Sequence, residues 1–199
     1  EAEIQRFGLD PTARLNYHQQ HSQPALEQMK QWLIQQQEKR LIEPNGPLGK
    51  AVEYLHQAGK KAANRSATQE AVAYFEQALD VIKHLPESTQ TIEKAINLRV
   101  DLGPALIATM GFASPEVEEN YTHARVLCEQ LGETPQLFPV LWGLKMVHNL
   151  RGDLRVEREL GEQLLNLARP LQNPALVLEA HHERWSNLSI LGELTTART

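Results

Sequence analysis

Leu55, Ala58, Gly59 and Ala62 recur at the spacing of one helix face, and Ala71, Phe75 and Ala78 do so again beyond the polar break Asn64-Arg65-Ser66. Residues three, four and seven apart share a face of an α-helix. Small residues at most of these positions let two antiparallel helices approach closely, and the Phe75 ring fills the gap between them. The expected unit is a helical hairpin closed by one aromatic set among small residues. Such a hairpin buries one face only and needs a neighbour, so it reads as one unit of a repeat.

The spacing recurs. Ala71/Phe75/Ala78 is echoed by Val117/Tyr121/Ala124 forty-six residues later, then forty further on by Glu157/Gly161/Leu164, with a partial echo at Ala197. Gly152-Asp153-Leu154 and Gly192-Glu193-Leu194 mark matching turns at the same interval. Leu137/Leu141/Leu144 and Leu178/Trp185/Leu188 supply apolar faces for first helices, and Leu160/Leu164/Leu167/Leu171 for a second helix. A cap followed by proline starts helices at Ser114-Pro115, Thr134-Pro135 and Asn173-Pro174. Helices are expected near 51–63, 67–84 and from Ser88 to about Thr109. Within the last, Pro104 lacks an amide proton and crowds the carbonyl of Val100, so a kink or break is expected there. Two helices per period of about forty predict an all-α chain, a right-handed α-solenoid in which each hairpin packs on its neighbours. Glu157 departs from the small residue that Ala71 supplies in the first unit.

Residues 1–49 read differently. Asp10-Pro11 starts a short helix, and Ser22 caps a second over about 23–42 with Leu26, Met29 and Leu33 on one stripe. Gln35-Gln36-Gln37 form a solvated face, and Pro44-Asn45-Gly46-Pro47 makes the boundary. The division expected is therefore an N-terminal helical segment at 1–49 and repeats at 50–199. The chain begins with Glu1 and stops a few residues into a new helix without a polar capping helix. It is therefore read as a piece of something longer, truncated at its C-terminus.

Charge and cysteine usage narrow the function. Residues 1–50 hold six acidic and six basic residues, so the net charge of −5 resides in 51–199. Neither part carries the basic stripe that nucleic-acid binding requires, so nucleic acid is not an expected partner. No stretch approaches the roughly 20 apolar residues of a membrane span. Cys128 is the single cysteine, which fits a reducing, cytoplasmic setting.

Leu55, Ala58, Gly59, Ala62, Ala71, Phe75 and Ala78 together resemble a tetratricopeptide repeat, with Leu55 at the usual Trp position and Ala62 at the usual Tyr. The runs Leu98–Leu106, Ser114–Tyr121 and Cys128–Leu144 resemble the helical-repeat region of bacterial multidomain proteins that also contain a class III nucleotide cyclase and an ATPase domain. That resemblance covers about 51–199 and implies a sensing or interaction role. No Gly-x-x-x-x-Gly-Lys-Ser/Thr phosphate loop is present, so no nucleotide activity carries over. The order Glu1–Ile4, Leu9–Leu15, His21–Leu26, Trp32-Leu33 and Gly46–Ala51 resembles bacterial transposases of the insertion-sequence 66 family. The resemblance implies that the segment is the helical stretch between the second and third catalytic acids of that family, and no catalytic acid is carried over.

No local motif assembles a catalytic site. In the run His181-His182-Glu183 the two histidines lie about 100° apart on a helix, so one is expected to pack between repeats and the other to be solvated. His18 and His21 have metal-compatible spacing without a third ligand. Glu116, Glu118 and Glu119 fit a helix start. Cys128, among Val126, Leu127 and Leu131, is expected to be a buried thiol, and Trp142 and Trp185 to be core.

The leading expectation is thus a non-catalytic scaffold without metal or cofactor, offering first-helix faces to a peptide, a protein partner or a neighbouring domain of a longer chain. It would form a piece of a bacterial signalling or regulatory protein. Tyr54, Lys61, Lys145, His148 and Arg184 are its groove candidates. Substituting Lys145 and Arg184 is expected to weaken partner binding without lowering the melting temperature. The alternative is an inactive remnant of a DNA transposase fused to repeats.

Overall fold

The computed structural model describes residues 31–169 apart from 33, 44 and 133, together with 178 and 181. The helix start at Asp10-Pro11, the stripe Leu26/Met29/Leu33 and the fourth hairpin lie outside the described residues. Every regular element that is described is an α-helix. Residues 31–41, apart from 33, form α1. Three hairpins follow: α2 (Pro47–Asn64) with α3 (Thr68–Ile82), α4 (Thr89–Met110) with α5 (Pro115–Leu131), and α6 (Leu137–Arg151) with α7 (Leu154–Ala168).

From α2 onward each helix packs on the next in sequence. In addition α2 touches α4 and α4 touches α6, whereas α3, α5 and α7 do not touch one another. The first helices therefore crowd one side of the stack and the second helices spread on the other, as a curved solenoid requires. One continuous core runs through all three hairpins, from Val52, Ala71, Phe75 and Ala78 through Ile96, Leu98, Val117 and Ala124 to Val147, Leu160 and Leu164.

The helix ends follow local chemistry. Ser88 caps α4 by accepting from the Thr91 amide at 3.2 Å, and Ser114 caps α5 by accepting from the Val117 amide at 3.3 Å. Pro47 and Pro115 occupy first-turn positions, where a missing amide proton costs nothing. Two turns share one geometry. At Gly152 (φ +80°) the Asp153 amide donates back to the His148 carbonyl at 2.9 Å. At Ser66 (φ +61°) the Ala67 amide donates to the Ala62 carbonyl, also at 2.9 Å. Both close the helix end with a left-handed residue.

Two expectations are corrected. Thr134-Pro135 does not start a helix: α6 begins at Leu137 with Gln136 as its N-cap. Thr134 is instead used by the preceding turn, where its carbonyl accepts from the Leu137 amide at 3.1 Å. Pro104 does not break α4, which is continuous from Thr89 to Met110. Pro104 itself is exposed, while Leu102, Gly103, Ala105 and Leu106 around it are buried, so packing on both flanks offsets the one backbone bond it removes.

Candidate functional site

In the first two hairpins a glycine on the first helix receives an aromatic ring from the second. Phe75 is fully buried against Gly59, so close that a Cβ added there would lie 2.5 Å from its Cε1. Tyr121 is clamped from both sides: a Cβ on Gly103 of α4, or on Gly143 of α6, would clash with its ring. Tyr121 thus ties hairpin two to hairpin three. Burial also pushes its phenol up to about 12.

The third hairpin reverses this arrangement. Lys145 stands twelve residues before Glu157 and sixteen before Gly161, the same spacings that place Gly59 before Ala71 and Phe75. Lysine occupies the glycine position, glycine the aromatic position and glutamate the alanine position. Lys145 and Glu157 are both fully buried, and Nζ donates to Glu157 Oε1 at 2.9 Å. Asn149 Nδ2 donates to the same oxygen at 2.9 Å. The lysine stem fills the room left by the missing ring, its Cε lying 3.9 Å from where a Cβ on Gly161 would be. A buried charge needs such a partner and such hydrogen bonds to be tolerated.

Polar bonds cross both junctions between hairpins. His56 Nε2 lies 2.6 Å from Asp101 Oδ2, with its ring edge-on to Phe75 at a centroid separation of 5.9 Å. Lys94 donates to Glu53 at 2.8 Å, and Gln136 donates to Asn97 at 3.2 Å. At the far end of α6, Arg151 pairs with Glu118 and donates to the Ala113 carbonyl at 3.0 Å. His148 lies 3.2 Å from Asp153 and 3.8 Å from Glu118. Glu118 was read from sequence as a helix-start acid. It is in the first turn of α5, and it also holds hairpin three to hairpin two.

These placements sort the groove candidates. Val52, Gly59 and Ala62 of α2 are buried, and Tyr54 and Lys61, seven residues apart, lie on the other side of the helix. Tyr54 is 75% exposed, and Lys61 is exposed without an ion-pair partner among the described residues. The inner side of the stack carries Pro104 and Ala108 on α4, then Pro139, Met146 and Leu150 on α6. Counted from Gly59, Gly103 and Lys145, Tyr54 and Lys61 stand instead where α4 has the buried Leu98 and Ala105 and α6 the buried Val140 and Val147, so they lie off that inner side. Lys145 is not on that surface: it is fully buried against α7 and engaged by Glu157, so it is removed from the groove. His148 is largely covered at the junction with α5 and bound to acids. Arg184 lies outside the described residues, as do Trp185, His182, Glu183, His18 and His21.

Sequence reasoning missed the ion pair because lysine on an amphipathic helix is normally solvated. A signal was available. Lys145 and Glu157 both depart from the small residues of hairpin one, at facing positions and with opposite charge. Cys128 is buried as expected, and burial pushes its thiol up. Trp142 is half-buried against the core. Among the described residues no three His, Cys, Asp or Glu side chains converge as metal ligands, and no helix is long and apolar enough to cross a membrane.

Comparison with known proteins supports the fold. The chain superposes on the crystal structure of nearly identical TPR-like repeats of a kinesin light chain from Podospora anserina. The TM-score is 0.59 at 17% identity, covering 73% of this chain and 69% of that one. The architecture is therefore an all-α, tetratricopeptide-like solenoid. In sequence, the chain is 28% identical over 143 residues to the uncharacterized protein R02095 of Rhizobium meliloti (strain 1021). That match covers 71% of this chain but only 14% of the relative. No family model matches. Neither relative is named as a cyclase, an ATPase or a transposase.

Proposed function

We propose that this chain is a non-catalytic interaction scaffold that receives a peptide, or a segment of a neighbouring domain, along the inner face of its first helices. The observation that carries the reading is the curvature: α2, α4 and α6 share one side of the stack while α3, α5 and α7 separate on the other. This side presents Pro104 and Ala108 on α4 and Pro139, Met146 and Leu150 on α6, side chains the core does not use, and Tyr54 and Lys61 remain groove candidates from the sequence. TPR-like repeats commonly mediate protein or peptide binding, and the relative is several times longer than the matched stretch. A role within a larger bacterial signalling or regulatory protein fits both, with Arg184 as a further groove candidate from the sequence.

Selection of random displayed peptides on the purified chain tests the reading. Binding that is lost in the double variant Met146→Glu, Leu150→Glu but kept in Val126→Asp, whose site on α5 faces outward, supports the inner face. Equal loss in both variants, or no enrichment over an unrelated helical protein, rejects it.

A further inference from the structure

We propose that the reversed slot of hairpin three is a pairing device: it makes α6 accept α7 and refuse the second helices of the other two hairpins. Repeats of similar length and shape can exchange partners, within a chain or between two copies, and misassembly of this kind is a characteristic failure of repeat proteins. Size and charge in the three slots oppose it. Facing α3 or α5, Lys145 would meet the ring of Phe75 or Tyr121 where those rings now find glycine, and its ammonium would face Ala71 or Val117 in place of Glu157. Facing α2 or α4, α7 would set Gly161 opposite Gly59 or Gly103 and leave a ring-sized void. Glu157 would then be buried without its lysine. Every wrong pairing thus combines a steric fault with the loss of the buried Lys145–Glu157 bond, and the native pairing has neither fault. The other two slots provide no such discrimination between themselves, since both set glycine against an aromatic ring. Hairpin two is told apart instead by its length, as α4 runs 22 residues against 18 in α2.

The test transplants one slot into another in the full chain. The triple variant Lys145→Gly, Glu157→Ala, Gly161→Phe gives hairpin three the slot of hairpin one. Its mirror, Gly59→Lys, Ala71→Glu, Phe75→Gly, gives hairpin one the slot of hairpin three. Each protein is unfolded in urea and refolded over a range of concentrations, and its size distribution is read by chromatography with light scattering. Mixtures of two fluorescent labels report exchange between copies. Wild type is expected to return to its starting state at every concentration. Both transplants are expected to refold to helical protein but to gain exchanged oligomers as concentration rises. Transplants that refold as cleanly as wild type would overturn the proposal. So would failure of both to regain helix, because the choice of partner would then not be separable from folding itself.

Discussion

Hairpins one and three face the same packing problem with opposite assignments of size. In hairpin one the first helix supplies the hollow at Gly59 and the second supplies the bulk at Phe75. In hairpin three the bulk comes from the first helix at Lys145 and the hollow from the second at Gly161. The difference lies in the kind of bulk. A phenyl ring is held by dispersion and the hydrophobic effect alone, whereas a lysine stem ends in a charge that must be met inside the core. A solenoid interface thus specifies a gap and a filler without specifying which helix provides which, provided the filler's chemistry is satisfied.

The largest expected effects come from removing one filler or its partner. Phe75→Ala opens a cavity beside Gly59 and is expected to cost about 3–5 kcal/mol in urea unfolding. Glu157→Leu leaves the Lys145 ammonium buried without this acceptor and is expected to cost a similar 3–5 kcal/mol or so. The two sites separate in the second step. Lys145→Met combined with Glu157→Leu is expected to recover most of the loss, to within about 1 kcal/mol of wild type, because paired removal of a buried ion pair is often neutral. A double variant as unstable as Glu157→Leu alone would show that the lysine stem does not act as packing bulk.

A smaller effect distinguishes the hollows. Gly103→Ala and Gly143→Ala each push a methyl into the clamped Tyr121 ring and are expected to destabilise by about 1–3 kcal/mol. Gly161→Ala meets only ordinary contact with Lys145 Cε at 3.9 Å. It should instead gain about 0.5–1 kcal/mol from reduced backbone entropy in the unfolded chain. Opposite signs for chemically identical substitutions, read as shifts in urea midpoint, are the outcome that matters. Loss at all three sites would erase the distinction between the hairpins.

Tyr121 adds a pH dependence at the junction of hairpins two and three. Its phenol ionises near 12 in the folded chain against 10.0 for the free group, with burial as the cause. Between these values the unfolded chain has released the proton and the folded chain still holds it. Stability is therefore complete below pH 10 and falls as pH rises through 12, by about 3 kcal/mol in all. Tyr121→Phe is expected to remove this alkaline loss while keeping the clamp, as followed by unfolding curves and by ultraviolet phenolate absorbance.

How far each region was legible follows from the range of its signals. Leu55, Gly59, Ala71 and Phe75 announce a hairpin because small and aromatic residues at helical spacing have few other uses. Ser88 and Ser114 announce their helix starts because the cap bond is local. Pro104 misled because the sequence shows the lost backbone bond and not the buried neighbours that hold the helix together. Lys145 misled for the opposite reason. On its own helix it reads as a surface cation, and only Glu157, on another helix across the Gly152 turn, accounts for its burial. Sequence periodicity within one helix carries no information about a charge satisfied from the next.

The smallest expected effect concerns the two turns that close these hairpins. Ser66 and Gly152 occupy equivalent left-handed positions, at φ +61° and +80°, and their following amides return to the helix with bonds of 2.9 Å. Glycine adopts that conformation freely, whereas a residue with a Cβ meets the neighbouring carbonyl and is strained by about 1 kcal/mol. Ser66 is exposed and its side chain makes no hydrogen bond that would offset the strain. Ser66→Gly should therefore raise stability by up to about 1 kcal/mol, less the entropy that glycine returns to the unfolded chain. Gly152→Ser should lower it by a comparable amount. A gain at 66 paired with a loss at 152 in thermal unfolding would show that the two turns are the same motif, relaxed in hairpin three and strained in hairpin one. No gain at 66 would mean that the first turn holds its serine without strain, so that the two hairpins differ in their slots and not in their turns.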